Sequence, residues 1–152
     1  MELVGYDPKY KQNFIELNTA WIKNNFGFLE EADKKTFQEV EKEIAKGAMV
    51  FFAVENDIVL AVCMTKPIGE DTWEICKLAT DERYRGRGAG GRLFQKCMEY
   101  AMENNAKRLF IISNSRLKPA LHIYQKYGFV EIKLDDYGYS RGDIAFEYIV
   151  KS

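Results

Sequence analysis

The sequence predicts a single α/β domain in which a mixed sheet carries helices on both faces. Apolar patterns of helical and strand type follow one another in the order β-α-α-β-β-β-α-β-α-β-β. The chain has 152 residues, enough for one continuous core, and no repeat, low-complexity tract or linker divides it over residues 1–152. Apolar residues make up 47% and charged residues 30%, the balance of a folded soluble chain.

Each element has its own signal. Leu3 to Tyr6 is a short apolar run that Asp7-Pro8 ends, a first strand followed by a helix start. Tyr10, Phe14, Ile15, Leu17, Trp21 and Ile22 then recur at helical spacing over residues 8–23. Residues 24–32 break that pattern, and a second amphipathic helix spans residues 34–46, with Gly47 placed to end it. Residues 49–54 and 58–66 read as strands joined by a turn at Glu55-Asn56-Asp57, and residues 73–80 as a third after turn residues 67–71. A glycine-rich segment from Arg85 to Gly91 opens a helix to about Glu103, with Leu93, Phe94, Cys97, Met98 and Ala101 on one face. Residues 109–113 form a buried-type strand, 117–127 a helix, and 130–134 and 144–150 the last two strands.

Charge narrows the function classes. With 22 basic and 23 acidic residues the net charge is −1, so the chain lacks the basic excess of nucleic-acid or anionic-membrane binders. Basic residues cluster only locally, at Arg83, Arg85, Arg87 and Arg92. Cys63, Cys76 and Cys97 sit in apolar patterns without metal-ligand spacing and read as reduced, buried thiols; no metal is expected. The N-terminal MELVGYDPKYKQ has no basic segment before an apolar run, and no stretch approaches a membrane span, so a cytoplasmic protein is expected.

The glycine turn carries the chemistry. Arg85-Gly86-Arg87-Gly88-Ala89-Gly90-Gly91 lies between a strand and a helix. Glycine permits positive φ and a close approach of backbone to ligand, and the helix start offers unpaired N–H groups and a positive dipole end. Together they form a pyrophosphate cradle, with Arg85 and Arg87 at its rim; the plainer reading is a tight turn with solvated arginines. Gly86, Gly88 and Gly91 satisfy G-x-G-x-x-G, yet Asp81 to Arg85 separate them from the strand, and the next strand ends in Ser113-Asn114-Ser115 instead of an acidic residue. No Gly-Lys-Ser/Thr is present, which excludes a P-loop. The other pattern is R-x-x-G-x-G, matched by Arg85, Gly88 and Gly90.

The segment KLATDERYRGRGAGGRLFQKCMEYA resembles the coenzyme A signature of the GNAT superfamily of N-acetyltransferases. Residues 114–129, NSRLKPALHIYQKYGF, resemble that family's N…A…LY…GF segment at Asn114, Ala120, Tyr124, Gly128 and Phe129. The resemblance is specific over residues 73–129 and architectural before them; WEICK at residues 73–77 and YSRGDI at 139–144 look like one branch of small bacterial members. It implies the GNAT acyltransferase fold, a mostly antiparallel twisted sheet, with acetyl-CoA as cosubstrate and an amine as acceptor. Gly91 departs from relatives that carry Lys or Arg there, which removes one phosphate contact.

Acetyl transfer to an amine needs a proton acceptor, stabilisation of the oxyanion, and protonation of the departing thiolate. Glu74 lies in an otherwise apolar strand, where desolvation raises a carboxylate pKa, and it matches a glutamate base of some relatives; its structural alternative is a carboxylate paired with a neighbouring basic group such as Lys77, or exposed at a strand edge. The resemblance implies Tyr124 as general acid, Leu78, Ala79 and Thr80 as backbone partners of the pantetheine arm, and Asn114 as an amide contacting that arm. Asn114 also suits a turn or helix cap. Lys126 either approaches the nucleotide phosphates or is a solvated lysine. His122, two residues from Tyr124, points to the opposite side of its helix and is read as structural or exposed. The acceptor region draws on Trp21, Phe26, Phe28, Glu30 and Glu31 and on Tyr137, Tyr139 and Arg141, rings and carboxylates suited to a cationic amine, with Trp21 itself expected in the core. A small-molecule amine is the expected acceptor, a lysine or protein N-terminus the alternative, and a CoA-binding regulatory module the non-enzymatic rival. A homodimer is left open.

Overall fold

The computed structural model describes residues 1–138 and 141–151. A seven-stranded sheet runs in the order β1-β2-β3-β4-β5-β7-β6. Its strands are β1 (Glu2–Val4), β2 (Met49–Glu55), β3 (Ile58–Gly69), β4 (Thr72–Thr80), β5 (Arg108–Ser113), β6 (Val130–Ile132) and β7 (Ile144–Ile149). All neighbours pair antiparallel except β4 and β5. The mixed, mostly antiparallel sheet expected from the sequence is therefore present.

Helices cover both faces. On one, α1 (Lys11–Phe26), α2 (Glu31–Gln38) and α3 (Val40–Ala45) pack Phe14, Ile22, Phe37 and Val40 onto Val50, Phe52, Val62 and Met64. On the other, α4 (Ala89–Glu103) and α5 (Lys118–Lys126) pack Leu93, Phe94, Cys97, Leu121 and Tyr124 onto Phe51, Cys63, Trp73, Ile75 and Phe146. Alternate residues of the central strands serve opposite cores, Phe51 and Cys63 one and Phe52 and Met64 the other, which is why these strands read as continuous apolar runs.

The N-terminal helices depart from the sequence reading in three respects. α1 extends to Phe26 and ends where Gly27, at φ 90°, donates its N–H to the Lys23 carbonyl. The second helix is two: the chain bends at Glu39, and Phe37 and Val40 on either side of the bend both bury. α2 also begins earlier than expected, at Glu31, because the Asp33 side chain accepts the Glu30 N–H at 2.9 Å and closes the first turn. The hairpin turn is as expected, Asn56 and Asp57 both adopting positive φ between β2 and β3. Among the described residues, no helix is long and apolar enough to cross a membrane.

Candidate active site

The site begins with a fault in the sheet. β4 and β5 register only at Thr72–Arg108, Trp73–Leu109 and Glu74–Phe110, and beyond Glu74 the two strands separate. β4 continues on β3 while β5 continues on β7, so the facing edges of residues 75–80 and 111–113 are left without a ladder partner. A cleft of about 520 Å³ opens between them. Peptide groups on such an edge need partners from outside the sheet.

A bulge re-aims β4 at the same point. Met64 registers with Cys76 and Val62 with Ala79, so β4 carries one extra residue, and Lys77 there takes φ 56°. Positive φ is costly for a lysine, and this side chain is tied down: its Nζ lies 2.7 Å from Asp33 Oδ1. Asp33 has no exposed surface and also accepts two hydrogen bonds from the Arg141 guanidinium, which reaches Glu30 at 2.8 Å as well. Burial would push the Asp33 carboxyl up, but the hydrogen bonds from Arg141 and Lys77 outweigh it and hold the group well below its usual range.

At one end of the cleft lies the glycine turn. Gly86 and Gly88 adopt φ 81° and 75°, the left-handed region the turn requires. The first intrahelical bond of α4 runs from Arg92 N–H to Gly88 C=O, leaving the N–H groups of Ala89, Gly90 and Gly91 ahead of it without a helical acceptor. A Cβ on Gly90 would touch Thr80 Oγ1 at 3.6 Å and Leu78 Cδ1 at 3.9 Å, so the helix start rests on the free half of β4. Arg85 pairs with Glu82 and Arg87 with Glu55, exposed pairs that an anion can displace at little cost.

In the middle, Glu74 and Tyr124 line the same cleft. Glu74 faces α1, its side chain 13% exposed, with Lys66 Nζ the paired cation at 3.9 Å. Its pKa is raised by burial, against the opposing charges of Lys66 and Lys77. Lys77, named from the sequence as an alternative partner of Glu74, sends its ammonium to Asp33 instead. Tyr124 comes from α5, wedged between Phe94 and Phe146 with ring centroids 5.4 and 5.5 Å away. Burial pushes its phenol up to about 12, partly offset by a hydrogen bond with the Ser113 side chain. Cys76 also borders the cleft, but burial and then the Glu74 charge push its thiol up to about 12.

Other expected residues fall in several places. Leu78, Thr80, Arg85, Gly86, Arg87, Gly88, Ala89, Gly90, Gly91 and Asn114 line the cleft. The Ala79 side chain is buried and does not line it, so that residue can contribute backbone alone. Lys126 lies outside the lining, its ammonium 5.7 Å above the Tyr127 ring, and His122 is exposed. The Asn114 amide is engaged in the turn: Nδ2 donates to the Arg141 carbonyl at 2.6 Å and Oδ1 accepts the Arg116 N–H at 2.9 Å.

The far end differs from the ring-and-carboxylate pocket expected for a cation. Phe28 is exposed, Glu31 pairs with Lys34, and Glu30 is taken up by Arg141. Tyr137 does not line the cleft, and Tyr139 lies outside the described residues. Trp21 packs against the core yet also borders the cleft, stacked edge-on against Phe26 at 6.0 Å. Two guanidiniums, Arg116 and Arg141, lie 5.1 and 5.8 Å from that Phe26 ring. Arg116, Asn18 and Asn25 were not foreseen as site residues, since a lone arginine in a turn and two asparagines on a helix give no sequence signal.

A parallel pair that splits beside a bulge, with a glycine-capped helix start at its mouth, directs comparison to acyltransferases. The sequence model of the Acetyltransferase (GNAT) family matches residues 14–129. The chain belongs to that family. An acetyltransferase of the GNAT family from Staphylococcus aureus Mu50 superimposes with a TM-score of 0.87 at 20% identity, covering 99% of each chain. The yncA protein of Salmonella typhimurium, with its cofactor acetyl-CoA, gives 0.83 at 12% identity over 100% of this chain and 95% of its own. The paia N-acetyltransferase of Thermoplasma acidophilum, in complex with coenzyme A, gives 0.74 at 14% identity over 99% and 100%. At these identities the likeness is one of fold.

Proposed function

We propose that this GNAT protein moves the acetyl group of acetyl-CoA to a primary amine of a small molecule, by direct attack with both substrates held in the cleft. The observation that carries the reading is the meeting of Glu74, Tyr124 and the glycine turn along one cleft. The turn fits a diphosphate, through the free N–H groups of Ala89 to Gly91 and the Arg85 and Arg87 side chains beside them. The unpaired edges of β4 and β5 suit the amides of the pantetheine arm. When bound, acetyl-CoA supplies an acetyl group activated as a thioester.

The remaining work falls to this chain. Glu74 takes the proton of the acceptor ammonium, and its burial narrows the gap to an amine pKa. Tyr124, protonated at neutral pH, gives its proton to the leaving thiolate and is reprotonated by the second proton that the attacking nitrogen sheds as the amide forms. Cys76, kept as a thiol, is a poor nucleophile, which favours direct attack over an acyl-enzyme.

A thiol-release assay over a panel of amines tests the reading. Turnover is expected with wild type, reduced in Glu74→Gln and Tyr124→Phe. Thermal stabilisation by acetyl-CoA without thiol release on any amine would leave a CoA-binding module, and stabilisation by NAD alone would sink both.

A further inference from the structure

At the acceptor end the cations outnumber the carboxylates that face the cleft. Arg116, Arg141 and Lys77 line it there, against Glu74. Lys77 and Arg141 are neutralised from behind by Asp33 and Glu30, neither of which lines the cleft. Arg116 has no such backing: among the described residues it forms no ion pair. Asp143 feels its charge, but that carboxylate is held first by the Ser115 hydroxyl and N–H. The Arg116 guanidinium is nonetheless placed, by Asn114 Oδ1 at 3.4 Å from its Nε and by the Phe26 ring 5.1 Å from its centre. A positioned, unpaired guanidinium on a ligand cleft is an oxyanion receptor, because its planar fork matches two oxygens at once.

We propose that Arg116 binds a carboxylate of the acceptor, so that the substrate is a small amino-acid-like molecule whose amine reaches Glu74 while its acid group rests on Arg116. This deepens the acetyltransferase reading and rests on it. Among the described residues Arg116 is the one cleft-facing cation without an ion pair, which matches the single charge of a carboxylate better than the charge of about −1.5 to −2 on a phosphate monoester. The diphosphate of the cosubstrate has its own cations at the opposite end, Arg85 and Arg87.

The experiment uses matched pairs of acceptors, each amino acid beside its amide and beside its decarboxylated amine, with O-phosphoethanolamine as a phosphate probe. Wild type is expected to favour the acid by about tenfold or more in kcat/KM. In Arg116→Ala that ratio collapses towards unity through KM, Arg116→Lys restores part of it, and Lys107→Ala, outside the cleft, leaves it intact. Equal turnover of acid and amide by wild type, preference for the phosphate probe, or a rise in the acetyl-CoA KM of Arg116→Ala that is the same for every acceptor would each overturn the assignment. Calorimetry of the same pairs on the CoA-bound protein reads Arg116 without turnover. Absence of thiol release in the kinetic assay sinks the acetyltransferase reading, while the acid-over-amide binding ratio and its loss in Arg116→Ala, read by calorimetry, still decide this one.

Discussion

At the glycine-turn end, the cleft offers peptide N–H groups of α4, two exposed arginines in surface pairs, and the free edge of β4. At the acceptor end it offers side chains, with a buried knot of Asp33, Lys77, Arg141 and Glu30 behind them. The first end is made by residues adjacent in sequence and tolerates change in any one side chain. The second is assembled across separations of 44, 108 and 111 positions, and each member leaves a stranded charge if another is removed. Backbone recognition suits a ligand that never varies, and a side-chain pocket suits one that does.

The largest expected effect breaks the acceptor knot. Asp33→Ala leaves Lys77 and Arg141 facing each other without their shared anion and should cost about 3–5 kcal/mol, read by urea denaturation. Because the folded-state pKa of Asp33 is depressed, its contribution is complete above the ordinary aspartate value of 3.8 and is lost as pH falls below it. Asp33→Asn should flatten that acid slope of stability; an unchanged slope would mean the knot is not what the acid limb reports.

Tyr124→Phe keeps the ring between Phe94 and Phe146 and removes only the donor. A loss of about 100-fold in kcat is expected, with acetyl-CoA affinity retained when measured by calorimetry. Glu74→Gln should lower kcat/KM by about tenfold and abolish the acidic limb of its pH profile. In wild type that limb lies above the ordinary glutamate value of 4.5, since burial raises Glu74 and only the carboxylate accepts the proton. A profile identical in both proteins would transfer the base role to a water chain.

The smallest effect sharpens the comparison from the other side. At Gly91 a Cβ would meet nothing within 4 Å and φ is not positive, so Gly91→Ala should add about 0.5–1 kcal/mol to stability by raising helix propensity. Acetyl-CoA affinity should stay the same, because the cradle uses the N–H and not the side chain. A thermal melt with and without acetyl-CoA separates the two.

The legibility of the chain follows the same division. That the glycine turn opens a helix, that Glu74 lies on a strand and that Tyr124 lies on a helix was readable from local pattern, whereas the roles expected of Glu74 and Tyr124 came with the family resemblance. The order of strands was readable too, up to the bend at Glu39 that lets Phe37 and Val40 share one core. What escaped was tertiary in origin. The β4 bulge depends on Lys77 finding Asp33, and no pattern within the strand announces it. Glu30 and Asp33 carry a helix-start signature, but it sat inside a segment that looked merely irregular. Arg116 gained meaning only when Phe26, 90 positions away along the chain, joined the neighbouring Asn114 in fixing its guanidinium against the cleft.

The short pairing of β4 with β5 gives the molecule a spine. Two half-sheets, β1 to β4 and β5 to β6, meet like covers of a book at Thr72, Trp73 and Glu74 and stand apart beyond them. Any flexing of those covers displaces atoms in proportion to their distance from the binding. Glu74 lies in the binding itself, where such flexing moves it least. A group bound beside Glu74 thus keeps its place while the free halves of β4 and β5 move relative to one another.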